Sequence, residues 1–161
     1  MMLGRLFARG EPSLSEAGPR DAPALAKLHA ASFQRGWSDG EFEQLLMDRN
    51  TVTHRAMVGR RLCGFILSRV AAGEAEILSV AVAAARQGRG LARAMLNLHL
   101  RRLAGLGTRT VFLEVDEHNT PARKLYQRAG FREVGRRPGY YQQAGRPAAN
   151  ALVLQIGRAH V

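Results

Sequence analysis

The sequence carries one cysteine in 161 residues, Cys63, so no intramolecular disulfide can form. No second Cys or His stands near it at metal-site spacing, and it falls in the apolar run 62–67, which predicts a buried structural thiol and no metal centre. Long apolar runs are missing too. None approaches the roughly 20 residues that span a bilayer, and the apolar stretch at residues 1–7 is too short for a secretory core, so the chain is expected in the cytoplasm with no membrane partner. Acidic residues are scarce, 13 Asp and Glu against 24 Lys and Arg, giving a net charge of +11. Such a surface attracts polyanions at low salt. Aromatic residues are only 6% of the chain, and no helix-turn-helix, zinc-finger or RNP-like aromatic pattern accompanies the charge. Specific nucleic-acid recognition is therefore not expected. A compositional bias toward Arg, Ala and Gly explains the charge equally well.

The length suits one domain that buries about two thirds of its unfolded surface. Residues 1–11 lack periodicity and read as a mobile leader, leaving 12–161 as the single domain. Residues 13–17 form a short strand candidate. Asp21 as N-cap and Pro23 in the first turn predict a helix over 21–33. Ser38 with Glu41 has capping-box spacing and opens a second helix striped by Phe42, Leu45 and Leu46. Alternation over 51–58, a turn at 59–61, a return at 62–67 and a strand at 76–82 after Gly73 predict an antiparallel meander. A third helix is expected over 90–105 with Leu91, Ala94, Met95, Leu98 and Leu103 inward. Then come a central strand at 110–115, a helix capped by Thr120 and closed by Gly130, and strands at 131–135 and 151–156. The excursion 136–150 between the last two exceeds an ordinary hairpin loop and is a candidate substrate loop.

Chemistry concentrates at Gln87-Gly88-Arg89-Gly90-Leu91-Ala92, where a glycine-bearing loop runs from a strand into a helix. Such a junction aims free backbone N–H groups at one spot, and the helix dipole adds partial positive charge there, which suits phosphate. Downstream, Leu113-Glu114-Val115, Asn119, Leu125-Tyr126, Gly130-Phe131, Arg136-Arg137 and Tyr140-Tyr141 follow in order, with Trp37-Ser38 and Glu41-Phe42 upstream. In order and spacing these motifs resemble the GCN5-related N-acetyltransferases (GNAT). Within that family they resemble the branch that acetylates protein N-termini, the RimI-type ribosomal-protein-alanine acetyltransferases. The resemblance spans residues 12–156.

The resemblance implies an α+β, three-layer fold: a mixed, mostly antiparallel sheet of about seven strands flanked by about four helices. It implies an enzyme that moves an acetyl group from acetyl-CoA to an α-amino group of a protein N-terminus, such as the alanine of a ribosomal protein. Val80, Ala81 and Val82 would line the pantetheine arm. Gln87, Gly88, Arg89, Gly90, Leu91, Ala92 and Arg93 would cradle the diphosphate, and Asn119 would bond the cofactor. Glu114 would act as base, directly or through water, and Tyr126 as acid toward the departing thiolate. Trp37, Tyr140 and Tyr141 would wall the incoming N-terminus. No metal is implied, and the chain is expected as a monomer or weak homodimer.

Other readings of the same residues stand beside these. Glu114 can be a cross-strand ion pair, Tyr126 core packing, Asn119 a loop former and Trp37 an anchor of the second helix. The acceptor can be a small amine or a lysine side chain, or the module can be a non-catalytic acyl-CoA-binding or nucleic-acid-associated one. An α-amino group near pKa 8 is easier to neutralise at pH 7 than a lysine near 10.4, by about 3 kcal/mol, which favours N-termini. Two positions depart from the family pattern: Ala83-Ala84-Ala85 lacks an Asp-Pro before Arg86, and Asn150 stands where an acidic residue is common.

Overall fold

The computed structural model describes residues 10–33, 35–141 and 149–157, and for 140 and 141 the backbone alone. Most of the expected leader and the tip of the expected substrate loop lie outside the described residues. Seven strands form one sheet: β1 (Ser13–Glu16), β2 (Thr51–Val58), β3 (Arg61–Ala71), β4 (Glu74–Val82), β5 (Thr110–Asp116), β6 (Arg132–Tyr141) and β7 (Ala149–Gly157). Their order across the sheet is β1-β2-β3-β4-β5-β7-β6. Only β4 and β5 run parallel. The helices are α1 (Ala22–Ser32), α2 (Asp39–Met47), α3 (Leu91–Gly105) and α4 (Thr120–Ala129). The expected architecture, a mixed seven-stranded sheet with four helices, is the one observed.

Strand alternation divides the core into two layers. Leu91, Met95, Leu96, Leu100 and Leu103 of α3 and Tyr126 of α4 pack on Ile66, Ile77, Val111, Leu113 and Val115. Leu25 and Ala26 of α1 and Phe42 of α2 pack on Phe65, Leu67 and Ala81 from the other face. Helix α3 comes close to the sheet because Gly64 has no side chain: a Cβ there would lie 3.0 Å from Met95 Cε and 3.2 Å from the Ala81 carbonyl oxygen. Cys63 is buried, as expected, and its thiol donates to the Ala56 carbonyl at 3.3 Å.

One interruption in the sheet decides where ligands can go. Parallel pairing between β4 and β5 covers only Glu74–Ile77 against Thr110–Leu113. Beyond it, residues 79–82 of β4 stay paired with β3, and residues 114–116 of β5 stay paired with β7. The two strands part, and an opening begins beside Glu114. A bulge at the start of this stretch, where Leu67 faces Ser79 and Ser68 faces Ile77, also reverses the alternation of β4. Before it Ala75 and Ile77 face α3; after it Val80 and Val82 do, and Ala81 turns to α1.

Several sequence expectations need correction. The inward face of α3 is rotated: Ala94 is exposed and Leu98 half-buried, while Leu96, His99 and Leu100 are buried. Asp21 ends a short turn before α1 but makes no capping hydrogen bond, because its carboxylate accepts from Gly18 N–H and from Arg55 Nη1, at 2.6 Å for the latter. The cap of α4 is Asn119, one residue before Thr120. Strand β6 runs to Tyr141 rather than Gly135, so the 136–150 excursion begins as irregular edge strand, with a register shift between Arg137 and Tyr141. The Ser38–Glu41 capping box and the 51–58 strand stand as read.

His99 is the unexpected polar group of the core. Its Nε2 lies 2.6 Å from Ser68 Oγ and its Nδ1 lies 2.7 Å from His54 Nδ1, all three side chains being buried. Two neutral tautomers of each ring satisfy this chain, so it ties α3 to β2 and β3 without charge. Burial, reinforced by His54, holds His99 down to about 3.

Candidate active site

The loop into α3 carries the geometry its glycines demand. Gly88 (φ 77°) and Gly90 (φ 80°) are both left-handed, a region where an L side chain is strained. Gly90 is the N-cap of α3 and offers no side-chain cap, so the first-turn N–H groups keep their hydrogens for another acceptor. A Cβ built on either glycine meets no protein atom within 4 Å. The Gln87 amide donates to the Val82 carbonyl at 3.0 Å and pins the loop to the end of β4. Ala84–Arg86 form one short 3-10 turn in place of the missing Asp-Pro.

These N–H groups open on a cavity of about 860 Å³ lined by residues 80–82 of β4, the loop at Gln87, Gly88 and Gly90, and residues 91–93. Its other wall is α4, through Asn119, Lys124, Tyr126 and Arg128. The structure thus brings together every expected cofactor residue except Arg89, which lines a smaller cavity on the far side of the loop with Glu11 and Arg86. Arg86 itself donates to the Gly10 carbonyl at 2.7 Å. Asn119 caps α4 by accepting from Ala122 N–H at 3.2 Å, which leaves its amide donors to face the cavity. Asn97, Lys124 and Arg128 were not foreseen. Lys124 and Arg128 stand one turn apart on α4, a spacing readable once α4 is known to face the loop.

Tyr126 lines the cavity from α4. Only 6% of it is exposed, its ring meets Phe131 edge-on at 5.5 Å, and its hydroxyl has no hydrogen-bond partner among the described residues. Burial pushes its phenol above the ordinary range, so it stays protonated. Glu114 lies outside this cavity. Its neighbours Leu113 and Val115 pack with Tyr126, so alternation turns the carboxylate to the opposite face of the sheet, beside the β4–β5 opening. There Arg137 Nη1 reaches both of its oxygens, at 2.7 and 2.9 Å, across β7.

Two further groups shape that face. Asn150 donates its backbone N–H and its side-chain amide to Glu117 and accepts from Gly139 N–H at 3.0 Å. The Asn150 N–H first, then its side chain, His118 and Arg136, hold the Glu117 carboxyl below its usual range. Trp37 is half-buried and stacks on His29 at 4.6 Å, and its backbone N–H donates to His29 Nδ1 at 3.1 Å. Trp37 is therefore held by α1 as well as by Phe42 of α2. Neither Trp37 nor Glu114 lines this cavity. The side chains of Tyr140 and Tyr141 lie outside the described residues.

An uncapped, glycine-entered helix beside a split parallel strand pair, with a cavity of about 860 Å³ at their junction, suits a ligand that carries phosphate. The chain belongs to the acetyltransferase (GNAT) family, whose model matches residues 22–131. It is 30% identical over 141 residues to the [ribosomal protein bS18]-alanine N-acetyltransferase of Haemophilus influenzae, covering 81% of this chain and 95% of that one. Among solved structures it is similar to the ribosomal-protein-S18-alanine N-acetyltransferase of Escherichia coli, with a TM-score of 0.84, 25% identity and coverage of 91% and 93%. Arabidopsis thaliana NAA60 in complex with acetyl-CoA shares the fold at a TM-score of 0.81 and 22% identity, over 91% of this chain and 98% of that one. The protein is an acetyl-CoA-dependent N-acetyltransferase. Among the described residues no helix is long and apolar enough to cross a membrane, and no group of three or more His, Cys, Asp or Glu is placed to hold a metal.

Proposed function

We propose that the protein acetylates the α-amino group of a protein N-terminus, with the alanine of a ribosomal protein as the leading acceptor. One observation carries this reading: Tyr126 and the amide-lined cavity lie on one face of the β4–β5 opening, and Glu114 lies at its edge on the other. Donor and acceptor then enter from opposite sides and meet in the gap. The names of the relatives in Haemophilus and Escherichia supply the acceptor class.

Acetyl-CoA supplies an acetyl group activated as a thioester. The main-chain N–H groups of residues 88–93 hold the diphosphate, helped by the α3 dipole and by the charges of Arg93, Lys124 and Arg128. The edge of β4 freed at residues 78–82 receives the pantetheine amides as a strand would, and an N–H there faces the developing oxyanion. The amine nitrogen forms the new C–N bond as the C–S bond breaks. Its proton passes to Glu114, directly or through water, and the Tyr126 hydroxyl gives its proton to the sulfur. Trp37, steadied by His29, and the Tyr140–Tyr141 end of β6 wall the acceptor.

An Ala-initiated peptide, its N-blocked twin carrying an internal lysine, and a polyamine, each incubated with acetyl-CoA, test the reading by mass spectrometry. Acetylation confined to the free N-terminus is expected. Turnover of the polyamine or the lysine with none at the N-terminus would replace this reading with the small-amine or lysine one.

A further inference from the structure

The carboxylate that meets the acceptor is not bare. Arg137 Nη1 sits on both Glu114 oxygens, and the neighbouring Glu117 is matched by Arg136 at 3.4 Å and by Asn150. Glu114 and Arg137 belong to strands that are not adjacent. β7 lies between them, with Val153 opposite Glu114 and Ala151 opposite Arg137, so the ion pair spans the sheet surface beside the opening. The Glu114 side chain is 23% exposed and that of Arg137 54%. The guanidinium holds both carboxylate oxygens and is the more exposed member of the pair.

The geometry points to Arg137 as the residue that makes the site select an amine arriving uncharged, and hence an α-amine over a lysine side chain. This rests on the assignment of Glu114 to the acceptor amine. An ammonium approaching Glu114 must either displace a guanidinium 2.7 Å away or lie beside it as a like charge, and both cost affinity. A neutral amine meets neither obstacle. At pH 7 the neutral fraction of an α-amine exceeds that of a lysine side chain by roughly 250-fold, and a site that gains nothing from the ammonium form keeps that advantage. A bare carboxylate would erode it by attracting lysine ammonium. Asn150 works in the same direction: it is uncharged and both its backbone N–H and its side-chain amide donate to Glu117.

The test is the ratio of kcat/KM for a free α-amine peptide to that for its N-blocked, lysine-bearing twin, measured in the wild type, Arg137→Gln and Arg137→Lys. Calorimetric CoA affinity is measured on all three, because Arg137 does not line the cofactor cavity. With CoA affinity retained, Arg137→Gln should lower the ratio about five- to tenfold, chiefly by raising lysine turnover, and Arg137→Lys should restore most of it. An unchanged ratio in Arg137→Gln overturns the inference alone, as does a loss of both activities with the ratio preserved. A wild type that acetylates no α-amine removes the underlying reading and the inference with it.

Discussion

Replacing Gly90 by alanine separates what the left-handed turn does for the fold from what it does for the cofactor. Gly90 sits at φ 80° and a Cβ there meets no protein atom, so the folded protein pays only for placing an L residue in that region, about 1–2 kcal/mol. For a chain of this length that corresponds to a fall in Tm of roughly 2–8 °C. Gly107, between α3 and β5, has φ 89°, equally open surroundings and no place in the cavity lining. Gly107→Ala is thus a matched control with the same strain. Under the phosphate-loop proposal, only Gly90→Ala puts a methyl group on the wall where a diphosphate would approach. Losing one charge-assisted N–H contact there costs about 1.5–3 kcal/mol, which is roughly a 10- to 100-fold rise in the Kd for CoA. Differential scanning calorimetry and titration calorimetry on both variants give the two quantities. Equal CoA affinity in wild type and Gly90→Ala, or equal losses in both variants, would refute the phosphate-loop assignment.

Tyr126→Phe should lower kcat by about 100-fold or more with CoA affinity nearly unchanged, as expected for loss of a general acid; equal rates in steady-state assays would remove the phenol from the reaction. Because burial raises the Tyr126 phenol, unfolded chains lose that proton before folded ones do, so stability should fall as pH rises past about 10, and Tyr126→Phe should flatten that limb in alkaline denaturation curves. His99, depressed to about 3, acts at the other end. Its stabilising contribution is complete above about pH 6.5 and is lost as pH falls from there toward 3, at up to about 1.4 kcal/mol per pH unit; urea melts at stepped pH should show a slope that His99→Met reduces. Gly64→Val should force Met95 aside and lower stability by about 1–3 kcal/mol in the same melts, whereas an unchanged midpoint would mean that α3 tolerates the shift.

How much could be read beforehand depended on whether a residue's signal was local. Thr51–Val58 matched its expected bounds because alternation and a flanking turn are local facts. The buried face of α3 differs from the expected stripe because it includes His99, whose burial is explained only by Ser68 and His54 from other strands. Strand β6 runs past its expected end at Gly135 because an edge strand with a register shift after Arg137 tolerates Pro138, which has no N–H to give to a ladder. The glycine-entered start of α3 is legible in the sequence because two left-handed glycines before an apolar stripe are a local signal that depends on no distant partner. The Arg137–Glu114 ion pair was open only as one alternative, since β5 and β6 are separated by β7 and no spacing in the sequence brings their side chains together.

A crystal structure with a bisubstrate ligand, CoA joined through an acetyl bridge to an N-terminal alanine peptide, tests the central claim most directly. The account predicts diphosphate oxygens on the N–H groups of residues 88–93, the bridging sulfur beside the Tyr126 hydroxyl, and the peptide nitrogen emerging through the β4–β5 opening toward Glu114. A ligand that leaves those amides unbonded, or whose peptide leaves on the α3 face away from Glu114, would contradict it.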